Sequence, residues 1–178
     1  IRATGDLSLS SHGHILNIGG SMSAGGTLSL HDPAAVRSLT ITQTGGTLLA
    51  GRLLDIDADS LGGDGELLSN GDLRIRVQQD YTHTGHLQAV GDARLETAGV
   101  LVNRAAPVAG GTLSLQGASV DNQAGAILNA GRLELRATDS HTFTNRGLID
   151  SSETFIDAIT LNNLGTGRIY GDHLAITA

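Results

Sequence analysis

The stretch Val120-Asp121-Asn122-Gln123-Ala124-Gly125-Ala126-Ile127-Leu128-Asn129-Ala130-Gly131-Arg132-Leu133-Glu134-Leu135 carries two signals that decide the fold. Asn122 opens a glycine-containing turn and is followed by the aliphatic Ile127 and Leu128. Gly131 then opens a run in which apolar and polar residues alternate. A period of two marks a half-buried strand, with Leu133 and Leu135 facing inward and Glu134 and Arg136 facing solvent. Neither piece can bury its apolar face alone, so the pattern must find partners elsewhere in the chain.

Those partners are copies of itself. The first signal returns at Thr44-Gly45-Gly46-Thr47-Leu48, Thr84-Gly85-His86-Leu87, Asn145-Arg146-Gly147-Leu148-Ile149 and Asn163-Leu164-Gly165-Thr166-Gly167-Arg168-Ile169. From Thr84 through Asn103, Asn122, Asn145 and Asn163 the steps are 19, 19, 23 and 18 residues, a period within the solenoid range. The glycine-plus-alternation signal recurs over residues 71–77, 91–97, 111–115 and 171–176, and a third apolar anchor closes each unit at Val102, Val120, Phe143 and Leu161. Each unit therefore supplies three short strands. Stacking successive units at the ~4.8 Å strand spacing pairs every strand with its equivalent and lines up the inward residues in columns. The predicted fold is all-β: a right-handed parallel β-helix of about nine rungs of ~19–20 residues, on the order of 40 Å long. It is expected to fill residues 1–178 as a single repeat segment. Residues 1–44 fit more loosely, through 7–9, 14–15 and 27–30, and the sequence leaves their strand register open. A β-propeller needs repeats of about 40–45 residues, and a leucine-rich repeat needs a helical segment that these Gly- and Thr-rich units lack.

Composition supports the same architecture. Aromatic residues make up 2% of the chain while Gly numbers 25 and Pro 2, so the core must come from small and medium aliphatic side chains and the chain turns often. The basic residues are all Arg; with 18 acidic ones against 11 basic, the formal net charge is -7, which disfavours a general nucleic-acid or polyanion binder. Cysteine is absent, excluding disulfides and thiolate metal sites. No apolar run approaches the roughly 20 residues of a membrane-spanning helix, so membrane insertion is not expected.

The repeat resembles that of the filamentous haemagglutinin family, best over residues 61–77 and 120–135, and the likeness extends from about Gly45 to Ala178. The resemblance implies a segment of a large exoprotein delivered through an outer-membrane two-partner transporter. Its members are secreted or displayed at the bacterial cell surface as adhesins or as stalks of contact-dependent inhibition toxins. The implied partners are receptors or glycans on host or neighbouring cells. No Arg-Gly-Asp triplet is present, so integrin recognition through that motif is not expected.

Several constellations invite chemistry. Asn103, Asn122, Asn145 and Asn163 fall at equivalent points and are expected to stack as a structural amide ladder; Asn also suits the left-handed backbone of sharp turns. Asp55, Asp57 and Asp59 alternate and are expected on one outer face, where they and the segment 62–66 carry a slight calcium-site character. His12 with His14, and His83 with His86, are read as surface residues without a third metal ligand. Asp92, Glu96, Glu134, Asp150 and Asp157 are dispersed, and no nucleophile–base pair stands out, so neither catalysis nor a cofactor is expected. Arg74, Arg76, Arg132 and Arg136 lie at outward positions and would form either a column contacting a heparin-like or sialylated glycan, or a mixed ion-pair ladder with Asp72, Glu96 and Glu134.

Overall fold

The computed structural model describes residues 1–33, 38–138 and 142–178, and all the regular structure among them is β-strand. The strands repeat in threes. Each coil turn lays one strand on each of three faces, and on the first two faces each strand pairs in parallel with its equivalent in the adjoining turns. There are about eight turns rather than nine, because two turns are longer than the period read from the centre of the chain. The steps from Asn17 to Gln43 and from Asn122 to Asn145 span 26 and 23 residues.

Alternation decides which side chains go inward. On the second face Leu28, Leu54, Leu73, Ala93, Leu113 and Leu133 form one column, and Leu30, Ile56, Ile75, Leu95, Leu115 and Leu135 form the next. The first face contributes a narrower column of Ala24, Ala50, Ser69 and Ala89. Two aromatic rings enter the core, Tyr81 and Phe143, and both lie in one column of the third face with Leu101, Val120 and Leu161. Here the sequence-based register needs correction: Leu101, not Val102, is the inward anchor, and Val102 stands on the outer side opposite Thr82 and Asp121. Three consecutive apolar residues, Val100, Leu101 and Val102, hide the alternation, and only cross-rung pairing resolves which points in.

The described residues among the first 44 join the same stack. Strand Leu7–Ser10 pairs with Thr27–His31, and His14–Ile18 with Thr40–Thr44. The third face is nevertheless split. Strands His14–Ile18, Thr40–Thr44 and Ser60–Gly62 form a three-stranded sheet, while the five strands from Tyr81–His83 to Thr160–Asn163 form another. Between them lies Gly63 at φ +110°, where a Cβ would drive into the Gln43 carbonyl. The first two faces run on without a break.

Candidate functional site: ion-paired columns and an amide ladder

A column of buried amides follows the inner edge of the third face. Asn103 Nδ2 donates to Asn122 Oδ1 at 2.9 Å, Asn122 Nδ2 to Asn145 Oδ1 at 2.8 Å, and Asn145 Nδ2 to Asn163 Oδ1 at 2.9 Å. The second N–H of each amide goes to a backbone carbonyl: Ala105 for Asn103, Leu148 for Asn122 and Arg168 for Asn145. Each of these three carboxamides thus ties its own rung to the next and also binds a backbone carbonyl at the corner of the coil. The column also extends backward in an unexpected form. Asn17 Nδ2 donates to Gln43 Oε1 at 2.7 Å, and His83, paired opposite Asn103, heads the second run. Thr84, the residue that aligned the repeat by eye, lies one place too late and is exposed. The signal that finds the true column is a polar residue two before the turn glycine, as in Asn17-Ile18-Gly19, Gln43-Thr44-Gly45 and His83-Thr84-Gly85.

His83 corrects a second expectation. Its side chain is 2% exposed, not at the surface, and its Nε2 has no hydrogen-bond partner. Burial, assisted by nearby His86, pushes its pKa down from 6.5 to about 4. His86, His12 and His14 are exposed, and His12 Nδ1 lies 3.1 Å from Asp32 Oδ1.

The outward columns of the second face hold the charges. The four candidate arginines do not form one column. Arg74 shares a line with Asp55, Arg94, Ser114, Glu134 and Phe155; Arg76 and Arg136 lie on the neighbouring line, separated by Glu96 and Gln116; Arg132 lies on a third, between Thr112 and Glu153. Three of them are paired. Arg76 reaches Asp57 at 3.0 Å, Arg136 reaches Asp157 at 3.1 Å, and Arg132 bridges Glu134 at 2.8 Å and Glu153 at 3.0 Å while its guanidinium sits 4.1 Å above the Phe155 ring. These carboxylates hold Arg132 above its ordinary pKa. Among the described residues Arg74 forms no ion pair. It lies directly opposite Arg94, which the sequence reading passed over, in a shallow groove of about 300 Å³ with Asp72, Asp92 and Glu134.

Several acidic candidates already hold structural bonds. Asp92 Oδ1 accepts the Thr112 backbone N–H at 2.7 Å and Asp72 Oδ1 accepts that of Asp92 at 3.0 Å, while Asp6 does the same for Thr27. Gly91 and Gly111 leave room for these carboxylates, since a Cβ there would collide with them. Asp55 and Asp57 face outward beside Arg74 and Arg76, but Asp59 lies past the strand end and accepts from Gln79 Nε2. Asp64 accepts from Gly45 N and Glu66 from Thr47 Oγ1, and no group of three His, Cys, Asp or Glu side chains among the described residues suits a metal ion. Glu96, Glu134 and Asp157 never meet across a rung: they oppose Arg76 and Gln116, Ser114 and Phe155, and Arg136 and Thr177 respectively. Among the described residues no helix is long and apolar enough to cross a membrane.

Searches of curated proteins and of solved structures each found no match. A family model, the haemagglutinin repeat, matches three times, over residues 1–61, 49–105 and 93–178. Those matches span the chain from end to end: this chain is a run of haemagglutinin repeats and belongs to the filamentous haemagglutinin family.

Proposed function

We propose that the segment is a stiff spacer in a large exoprotein exported by two-partner secretion, holding other domains away from the bacterial surface so that they reach host or neighbouring cells. The observation that carries this reading is the continuity of cross-rung pairing on the first two faces from one end of the chain to the other. Such a stack gains length by adding rungs, and no rung needs a unique site. Deleting residues 73–92, which lie between register-equivalent positions, removes one rung. The expected product remains all-β by circular dichroism and is shorter by ~4.8 Å in small-angle scattering. Collapse of the fold would refute the modular spacer.

Arg74 favours a second reading. An unpaired guanidinium one rung from Arg94 offers donors for a sulfate or carboxylate of a heparin-like or sialylated glycan. Titration with such oligosaccharides at physiological salt tests it, and the absence of saturable binding that is lost on Arg74→Ala with Arg94→Ala excludes it. The flanking Asp72, Asp92 and Glu134 make this groove a weaker case than the spacer.

A further inference from the structure

The third face is interrupted at one place among the described residues, and the polar groups there are unlike those anywhere else in the stack. Strands Ser60–Gly62 and Tyr81–His83 lie on adjoining rungs but belong to different sheets. In place of a strand ladder the two rungs are joined by side contacts. The Asp59 carbonyl accepts from Gln78 N at 2.9 Å and Gln79 N at 3.0 Å, and Thr84 Oγ1 donates to the Gly63 carbonyl at 3.1 Å. The amide column breaks at the same level: Gln43 has Gly63 next in line, which supplies no side chain, and His83 follows with its Nε2 unbonded.

We propose that this level is a built-in joint of the shaft, held closed by packing around a neutral His83 and opened when that ring takes a proton. The chemistry of the surroundings supports the trigger. The ionisable groups nearest to it in its own turn are Tyr81, whose pKa burial raises, His86, whose charge disfavours a second cation, and Asp80, whose Oδ1 accepts from Val100 N at 2.8 Å; Asp72, Arg74 and Arg76 of that turn lie on the second face. On the rung before, Asp64 is held by Gly45 N and Glu66 by Thr47 Oγ1; on the rung after, Arg104 directs its Nε to Gln123. Among the described residues no carboxylate partners the ring Nε2, and burial, with His86 nearby, holds the folded-state pKa at about 4. Protonation therefore drives the ring toward water. The third face has no ladder there to resist, while the first two faces keep the rod connected as a hinge line.

Paired spin labels test the joint, and the absence of native cysteine makes labelling clean. One pair, Thr44→Cys with Arg104→Cys, spans the joint from exposed positions; a control pair, Arg104→Cys with Thr166→Cys, lies wholly beyond it. Acidification from neutral pH to near the folded pKa of His83 should lengthen and broaden the first distance distribution and leave the second unchanged. In His83→Asn the first pair should stay fixed. If both pairs broaden together, if neither moves, or if His83→Asn opens like the parent chain, the joint is overturned. The two wild-type-background pairs decide the matter even if His83→Asn fails to fold.

Discussion

Replacing Asn122 with Ala should be among the most damaging single changes in this chain, although it deletes a small polar side chain. Asn122 is 0% exposed; its Oδ1 accepts from Asn103, and its Nδ2 donates to Asn145 Oδ1 and to the Leu148 carbonyl. Alanine removes three hydrogen bonds, each worth about 1 kcal/mol net, and strands buried partners at a further cost of about 1 kcal/mol or more. Asn103 keeps its bond to the Ala105 carbonyl, which limits the damage on that side. The expected loss is about 4 kcal/mol. Asn163→Ala provides the internal comparison, because Asn163 is exposed and gives up only its bonds to Asn145 and the Gly167 carbonyl; its expected loss is about 1 kcal/mol. Urea unfolding followed by far-ultraviolet circular dichroism measures both. A double-mutant cycle with Asn145→Ala should give a coupling of about 1–2 kcal/mol. Equal losses at Asn122 and Asn163, or zero coupling, would refute the ladder as an energetic unit.

Other changes separate the remaining forces. Thr154 sits at 0% exposure between Leu133 and Leu174 with its hydroxyl unbonded, so Thr154→Val should stabilise by about 1 kcal/mol and raise Tm in calorimetry. Asp92→Ala should cost about 1 kcal/mol and speed hydrogen exchange at the Thr112 amide more than elsewhere. The pH response follows from His83, whose folded pKa of about 4 lies below the unfolded 6.5. Above 6.5 both states are neutral at this ring and nothing is lost; as pH falls from 6.5 to about 4 the unfolded chain binds the extra proton, and about 3 kcal/mol of stability disappears. Denaturant titrations at several pH values should show that this part of the acid loss is missing in His83→Asn.

The repeat was legible in the sequence because it is written in two independent codes, alternation for the strands and glycine for the corners. Over residues 120–135 both are present, and register followed directly. Where one code lapsed, reading slipped by a residue: at residues 100–102 consecutive aliphatics mask the alternation, and at Thr84 a polar neighbour imitates the ladder position. The buried His83 was illegible for a different reason. Histidine resembles neither asparagine nor glutamine as a letter, yet its ring fits the same slot two places before Gly85, opposite Asn103. Arg132, Arg136 and Arg76 look alike in sequence, and an ion-pair ladder including Glu134 was one of its two readings, but the partners Glu153, Asp157 and Asp57 come from neighbouring rungs about 20 residues away and emerge only when the rungs are stacked.

The strands lie across the rod, which means that the bonds between rungs run along it. A pull at the two ends therefore loads these bonds head-on, one rung at a time, instead of shearing a whole ladder together. Each rung that peels away gives up ~4.8 Å of rod and releases about 70 Å of slack polypeptide, taking about 20 residues at ~3.5 Å each. Under drag from flowing liquid, such a shaft would lengthen by stepwise yielding before its tip was torn from what it holds.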